Sequence, residues 1–377
     1  MKLMQVIGVY PQGLEKEAAK ELLVLGAKSV RPLKRAVAFE ADMSCFYRLH
    51  LQSRLAFRFL REIVRFKCDG RESLYKSVQS SFDWESWLHP SISFRVDVSG
   101  RGTGLTHTHF TALQVKNALV DLQRSIWSKR SDIDIENPDL CFHLHLNQSE
   151  AVLSLDGSSS SLHRRGYRAA MGLAPLKENL AAGLIGISDW DGNIPLVDPL
   201  CGSGTLLIEA VSSALKLPPG LNRSFLFEGW ADFDKYLWEE EIKIAKSRTY
   251  FDRKLPLIIG CEQDKDIAKQ AKENIAAAGL KKIINVQNTH FSELELPNMK
   301  GLIVCNPPYG KRIGVNQDLK RLYLELSNFL KINASGWEFW LLSGNKELSR
   351  FIGMKASCRY PVNNGGIDCR WLKYIVN

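Results

Sequence analysis

The stretch LVDPLCGSGT, residues Leu196–Thr205, decides the fold of this chain. Apolar residues at its start and the helical pattern of Leu206–Val211 after it predict a strand, a glycine-rich turn and a helix in that order. Gly202 and Gly204 let the backbone approach a ligand closely, and the helix offers unpaired N–H groups in its first turn. The stretch therefore predicts an α/β unit that holds a small molecule at the end of a strand.

Two other glycine-rich nucleotide motifs do not fit this stretch. A dinucleotide-binding fold requires a third glycine where Leu207 stands and an acidic residue about 20 positions further on, and none suits. A phosphate-binding P-loop requires Gly-Lys followed by Ser or Thr, which is absent. An acidic strand end comes later, in Leu257–Glu262, and the carboxylate of Glu262 can accept hydrogen bonds from both hydroxyls of a ribose.

A third motif, Asn306-Pro307-Pro308-Tyr309, follows the apolar run Gly301–Cys305, which is typical of a short buried strand. The side-chain oxygen of Asn306 can accept a hydrogen bond from an exocyclic amino group, and the Pro307 carbonyl can accept a second. Tyr309 offers a ring face on which a base can stack. Taken alone, the tetrapeptide is equally compatible with a Pro-Pro turn that only closes a strand.

In this order the three motifs resemble those of class I S-adenosylmethionine-dependent amino-methyltransferases, from about Leu162 to Asn377. The resemblance implies a Rossmann-like α/β domain with a mostly parallel seven-stranded sheet and S-adenosylmethionine as cofactor. It implies catalytic roles for Asn306, Pro307 and Tyr309. The candidate cofactor-binding residues are Asp198, Cys201, Gly202, Ser203, Gly204, Thr205, Glu262, Gln263, Glu178 and His290.

One position departs from the family pattern. The family usually has an Asp at the end of the third strand, where it contacts the adenine, whereas this chain has Val286–Phe291 there. His290 and Asn288 are the candidate substitutes. Asp198 is expected to organise the turn or to meet the methionine end of the cofactor, and Glu178 is a further candidate for that end.

The N-terminal part divides into two small α+β units. The order strand, helix, strand, helix from Met1 to about Ser53 is typical of a ferredoxin-like layer, and a second unit runs from about Leu55 to Gly157. The serine-rich segment 156–161 is interpreted as a turn and domain boundary.

Val152–Asp156 followed by Leu162–Arg168 is similar to the join between a THUMP domain and its methyltransferase. Along its whole length the chain resembles the bacterial large-subunit rRNA guanine-N2 methyltransferases of the RlmL type. The resemblance implies methylation of a guanine amine in 23S rRNA and RNA binding by the THUMP domain. The expected domains are residues 1–54 (ferredoxin-like), 55–157 (THUMP) and 158–377 (methyltransferase).

Four alternatives stay open. They are a tRNA guanine-N2 methyltransferase, a DNA adenine-N6 or cytosine-N4 methyltransferase, a methyltransferase of protein glutamine amides, and a non-catalytic RNA-binding assembly factor. The THUMP-like half favours RNA over DNA or protein, and the intact motifs favour an enzyme.

Composition is consistent with an RNA partner. The chain has 377 residues with 50 Lys and Arg against 41 Asp and Glu, which gives a formal charge of +9 and suits a polyanion. Arg164, Arg165 and Arg168, with Tyr167 among them, are candidate RNA contacts, the alternative being a solvated linker. We expect a cytoplasmic protein without a membrane span, a metal site or an obligate protein partner, because long apolar runs and Cys-x-x-Cys pairs are absent.

Overall fold

The protein consists of two seven-stranded sheets with helices packed on them, seen in a computed structural model that describes residues 2–168, 176–310 and 318–377. Within these ranges, no helix has both the length and the apolar character that a membrane crossing requires.

The N-terminal sheet has the strand order β2-β3-β1-β4-β7-β6-β5, in which only β5 and β6 pair in parallel. Its strands are β1 (Met4–Val9), β2 (Lys28–Leu33), β3 (Ala36–Ala41), β4 (Arg58–Lys67), β5 (Phe94–Gly102), β6 (Leu140–Gln148) and β7 (Glu150–Asp156). Its helices are α1 (Glu15–Val24), α2 (Met43–Gln52), α3 (Arg71–Ser80), α4 (Trp84–Trp87) and α5 (Thr108–Trp127).

The two small units expected in this half share that one sheet. β1 and β4 pair antiparallel, with Val6 opposite Arg61 and Val9 opposite Arg58, so the ferredoxin-like layer continues directly into the next unit. The strand β2 was not expected from the sequence. It is an edge strand with almost every residue exposed, so it lacks the apolar alternation that identifies a strand.

The C-terminal sheet has the order β10-β9-β8-β11-β12-β14-β13, with the first five strands parallel and a final antiparallel hairpin. Its strands are β8 (Leu196–Asp198), β9 (Ile258–Cys261), β10 (Ile284–Gln287), β11 (Leu302–Cys305), β12 (Glu338–Ser343), β13 (Cys358–Asn364) and β14 (Ile367–Ile375). Its helices are α6 (Glu178–Ile187), α7 (Thr205–Ala214), α8 (Lys235–Ser247), α9 (Lys265–Ala277), α10 (Leu319–Asn333) and α11 (Lys346–Arg350).

The central strands of this sheet are buried on both faces, which explains their continuous apolar sequences. All residues of β8, β9 and β11 are buried, and separate apolar clusters cover the two sides of the sheet. The strand order reverses direction between β8 and β11, and ligands of open α/β sheets bind outside the strand ends at such a point. The expected Rossmann-like domain with a mostly parallel seven-stranded sheet is confirmed.

A segment of the C-terminal half packs on the N-terminal half. Phe227 and Trp238 join the apolar cluster around Tyr47 of α2, and Arg48 forms an ion pair with Glu241 of α8 at 2.6 Å. This apolar and charged contact fixes the two halves against each other beside the domain junction.

Candidate active site

Three polar side chains follow neighbouring strands at one edge of the C-terminal sheet. Asp198 ends β8, Glu262 comes directly after β9, and Asn306 comes directly after β11. β8 lies between β9 and β11 and is parallel to both, with Asp198 opposite Gly260. Since the carboxyl ends of parallel strands meet at the same edge, the three sequence motifs lie side by side there, and we refer to this edge as the cofactor cleft.

The glycine-rich turn after β8 has the backbone geometry that its sequence predicts. Both glycines are in the left-handed region, with φ of 52° at Gly202 and 80° at Gly204. The Cys201 N–H donates to the Cys261 carbonyl at 2.9 Å, which ties the turn to β9. Helix α7 begins at Thr205, and the preceding Gly204 has no side chain to cap it. The N–H groups of its first turn therefore suit an anionic ligand group such as a carboxylate.

Two residues that the sequence analysis missed hold this turn in place. The buried Asn274 of α9 donates through Nδ2 to the Ser203 carbonyl at 3.1 Å. A Cβ at Gly260 would lie 2.9 Å from Cys201 Sγ, so the turn packs on β9 only because glycine stands there. Neither residue has a local sequence signal, because each acts on a segment more than fifty positions away in the chain.

Burial changes the protonation of the two carboxylates. Asp198 is 1% exposed, and burial raises its pKa to about 8, against a hydrogen bond from the Leu200 N–H. Burial also raises the pKa of Glu262, whose Oε1 accepts from the Asp264 N–H at 2.9 Å. A ligand that brings hydroxyl donors or positive charge to this edge would stabilise both ionised forms.

The structure separates the candidate substitutes for the adenine-contacting Asp. Asn288 lies beside the acidic strand end, and its Nδ2 donates to the carbonyls of Glu262 and Gln263 at 2.9 and 3.1 Å. The ring of His290 instead accepts from the Ser292 N–H and lies 3.8 Å from Glu325 of α10. These contacts favour Asn288 over His290 as the residue next to the cofactor cleft.

Asn306 has the clearest chemical signature in the cleft. Its Oδ1 atom is buried and has no hydrogen-bond partner among the described residues. A buried carbonyl oxygen without a partner costs free energy, and a ligand, an ordered water or an ion can supply the missing donor. Asn306 is thus poised to accept a hydrogen bond from a group that enters the cleft.

Tyr309 is held more tightly than its sequence context indicates. It is 8% exposed, and its hydroxyl accepts a hydrogen bond from Asn364 Nδ2 at 2.9 Å. A Cβ at Gly344 would lie 2.8 Å from the ring, so the ring packs directly against the backbone after β12. Asn364 and Gly344 are two further residues that sequence reasoning missed.

The structure places two of the three candidate RNA-binding arginines in the interior. The side chains of Arg165 and Arg168 are 6% and 12% exposed, and they pair with Glu209 at 3.8 Å and Glu178 at 2.9 Å. Arg168 also donates to the Thr205 hydroxyl at 2.9 Å, at the start of α7.

These contacts differ from the expectation that the arginine cluster faces RNA. Glu178, which was expected at the methionine end of the cofactor, is instead paired with Arg168. The reason is that α6 and α7 bring two buried carboxylates under the junction, which require positive partners. Arg165 and Arg168 therefore join the junction to the cofactor-side helices, and only Arg164 of the three is exposed.

Comparisons with known protein families divide the chain into three parts. Residues 165–373 match the RMKL-like methyltransferase domain family, residues 71–156 match the THUMP domain, and residues 5–60 match the RlmL ferredoxin-like domain.

Relatives with similar sequences are also known. A putative RNA methyltransferase of Synechocystis is 42% identical, over 96% of this chain and 94% of the relative. The ribosomal RNA large subunit methyltransferase K/L of Syntrophotalea carbinolica is 38% identical over 97% of this chain, which spans only 52% of that relative. A crystal structure of a putative methyltransferase complexed with SAH (S-adenosylhomocysteine) superposes with a TM-score of 0.88 at 25% identity, and covers 100% of this chain and 99% of the other.

Proposed function

We propose that this chain, which belongs to the RMKL-like methyltransferase family, transfers a methyl group from S-adenosylmethionine to the exocyclic N2 amine of a guanine in RNA, with 23S rRNA as the substrate. The choice of 23S rRNA and of guanine N2 rests on the resemblance to the RlmL type and on the K/L relatives, about half of whose length this chain spans.

The cleft suits S-adenosylmethionine. Glu262 comes directly after β9 and carries two acceptor oxygens for the ribose hydroxyls, and the first turn of α7, which has no side-chain cap, suits the methionine carboxylate. The raised pKa of Asp198 fits a site whose ligand brings positive charge, since such a ligand favours the ionised carboxylate. Asn288 is the proposed adenine contact, because its side chain hydrogen-bonds the backbone of Glu262 and Gln263. The cofactor supplies an activated methyl group on a sulfonium.

The unpartnered Oδ1 of Asn306 is the observation that carries the proposal. An amino group that donates to this oxygen gains a bond and relieves the desolvation cost of the buried atom. With the Pro307 carbonyl as second acceptor, both hydrogens of a planar amine are held and its orientation is fixed. The nitrogen lone pair is then directed toward the methyl donor, which is the main task in this reaction.

Asn306 acts by orientation and electrostatics rather than as a base. Its amide is neutral and does not take up a proton at physiological pH. As the amine attacks, positive charge develops on nitrogen, and the two carbonyl oxygens stabilise it more strongly than they stabilise the ground state. The surplus proton leaves to water after transfer, because a methylated cationic amine of a base is strongly acidic.

The N-terminal half is proposed to bind the RNA substrate. The proposed domains are ferredoxin-like (residues 1–54), THUMP (residues 55–157) and methyltransferase (residues 158–377). Arg164 remains the candidate RNA contact at the junction because it is exposed. The target guanine must be unpaired or extruded from a helix, since N2 lies at the minor-groove edge of a base pair.

The test is methyl transfer to defined RNAs. Unmodified 23S rRNA and a mixture of unmodified tRNAs are incubated with the protein and labelled S-adenosylmethionine, and the RNA is digested to nucleosides and separated. We expect label in N2-methylguanosine from 23S rRNA.

Two results would redirect the proposal. Label in N6-methyladenosine would exclude the guanine-N2 assignment, and label only in tRNA guanine would exclude the ribosomal substrate. A protein with no transfer to any RNA that still binds S-adenosylhomocysteine would point to an assembly factor.

A further inference from the structure

A large cavity lies between the two halves of the protein and has no part in the proposed chemistry. It has a volume of about 890 Å³. Its walls are the turn after β1, with Gln12 and Gly13, and the outer hairpin β13–β14 together with α11. We refer to it as the hairpin cleft.

The hairpin presents mainly one face to this cleft. Asp368, Arg370, Leu372 and Tyr374 of β14 line it at every second position, as do Arg359, Pro361 and Asn363 of β13, and Val362 and Cys369 contribute in addition. This is the two-residue period of strand side chains, so Arg359 and Arg370 point to the same side of the sheet.

The cleft is strongly positive. Six exposed cationic side chains line it, and none of them forms an ion pair within the described residues. They are Lys34, Lys346, Arg350, Lys355, Arg359 and Arg370.

The two carboxylates of the lining are already engaged by neutral donors. Glu15 accepts from the backbone N–H groups of Gly13 and Arg35, and Asp368 accepts from Asn363 Nδ2 at 3.0 Å. Six positive charges against two negative ones leave this concave surface with a net positive charge, which favours a polyanionic occupant.

The walls of the cleft are fixed relative to each other. The Asn363 N–H donates to the Gln12 carbonyl at 3.0 Å across the two halves. A Cβ at Gly13 would lie 2.3 Å from the Pro361 carbonyl oxygen, so the turn and the hairpin are in direct backbone contact. The positive surface is therefore a built feature that spans the domain boundary.

The cleft adjoins the candidate active site through residues that contact both. Ser343, Gly344 and Asn345, which line it, follow β12, and β12 is the parallel neighbour of β11. The backbone of Gly344 packs against the Tyr309 ring, and Asn364 at the end of the hairpin hydrogen-bonds the Tyr309 hydroxyl. These contacts place the hairpin cleft beside the strand end that carries Asn306 and Tyr309.

We propose that the hairpin cleft binds the sugar-phosphate backbone of the RNA strand that flanks the methylated nucleotide. This inference rests on the proposed function, because it assigns the flanking part of the same substrate. It gives the C-terminal hairpin and the ferredoxin-like turn a shared task in RNA binding, separate from the THUMP domain.

The test compares two cleft variants with a matched control. The cleft variants are Lys346→Ala/Lys355→Ala and Arg359→Gln/Arg370→Gln. The control, Lys281→Ala/Lys282→Ala, removes two exposed cations at the opposite edge of the sheet, before β10. Affinity for unmodified 23S rRNA is measured by filter binding over a range of salt concentrations, and binding of S-adenosylhomocysteine by calorimetry reports folding and the cofactor site.

Each cleft variant should lose roughly tenfold in RNA affinity near 0.15 M salt, because two phosphate contacts are removed. Its slope of log affinity against log salt should become shallower by about 1.4, since each contact to a single strand contributes about 0.7. The control should keep the wild-type slope, and all variants should bind S-adenosylhomocysteine equally.

The two proposals fail in different ways. Cleft variants that match the control in RNA affinity and salt slope, while the wild type methylates RNA, would overturn the cleft assignment alone. The positive surface would then be a candidate site for an acidic protein partner. A wild type that binds S-adenosylhomocysteine but has no affinity for RNA would overturn both.

Discussion

Replacement of Asn306 by alanine should separate catalysis from folding, because the two effects have opposite signs. In the ligand-free protein the Oδ1 atom is buried without a partner among the described residues. Such an atom costs about 1–3 kcal/mol of desolvation, so its removal should leave the free energy of unfolding unchanged or slightly raise it. In turnover, the loss of one oriented acceptor where charge develops should lower the rate by about 10²–10³-fold, or about 2.7–4 kcal/mol.

The measurements are single-turnover methyl transfer to unmodified 23S rRNA at saturating cofactor, urea unfolding and calorimetric binding of S-adenosylhomocysteine. Asn285→Ala, on an exposed position of β10, is the matched control and should change none of the three. Asn306→Asp should retain part of the activity because a carboxylate also accepts from the amine. Near wild-type turnover in Asn306→Ala would refute the mechanism, and a large loss of stability would show that Oδ1 has an internal partner after all.

Four further predictions concern the cofactor site, the base pocket, pH and the junction. Glu262→Ala should weaken S-adenosylhomocysteine binding by at least tenfold in calorimetry, since hydrogen bonds to a charged group contribute about 1.5–3 kcal/mol; equal affinity would remove Glu262 from the site. Tyr309→Phe should lower the free energy of unfolding by about 1–3 kcal/mol, because the buried Asn364 amide loses an acceptor, and an unchanged urea midpoint would contradict this contact. Because burial raises the pKa of Asp198 to about 8, the stabilising contribution of its protonated form is present below the unfolded-state pKa and is lost as pH rises toward 8. The free energy of unfolding of Asp198→Asn, relative to the wild type, should therefore increase between these two pKa values. A pH-independent difference would count against the raised pKa. Arg165→Ala should destabilise the fold by about 1–3 kcal/mol, because the Leu162 and Arg54 carbonyls lose a donor and Glu209 loses a nearby positive charge. Arg164→Ala should instead lower RNA affinity alone, and the reverse pattern would return Arg165 to the RNA-binding surface.

The local parts of the fold were predictable, and the long-range parts were not. β8, β9 and β11 are short apolar runs that end in Asp198, before Glu262 and before Asn306, so each element and its polar end can be read from consecutive residues. The fusion of the two N-terminal units into one sheet depends on β1 pairing with β4 across about fifty residues, and no local pattern encodes it. The same holds for the packing of α8 on α2, which rests on contacts such as Arg48 with Glu241.

The candidate site shows the same division, with one instructive case. Gly202, Gly204 and the Pro307-Pro308 turn act on the backbone where they stand, so their positions predict the local geometry of the two turns. An arginine acts through its partner, and the sequence near Arg165 and Arg168 does not reveal that Glu209 and Glu178 lie beneath them. An exposed arginine cluster and a buried one therefore have the same local sequence. In the hairpin cleft, by contrast, cations that are distant in the sequence form one surface. Lys34 and Arg370 are more than three hundred positions apart, and they come together only because the Asn363 N–H bonds to the Gln12 carbonyl across the two halves.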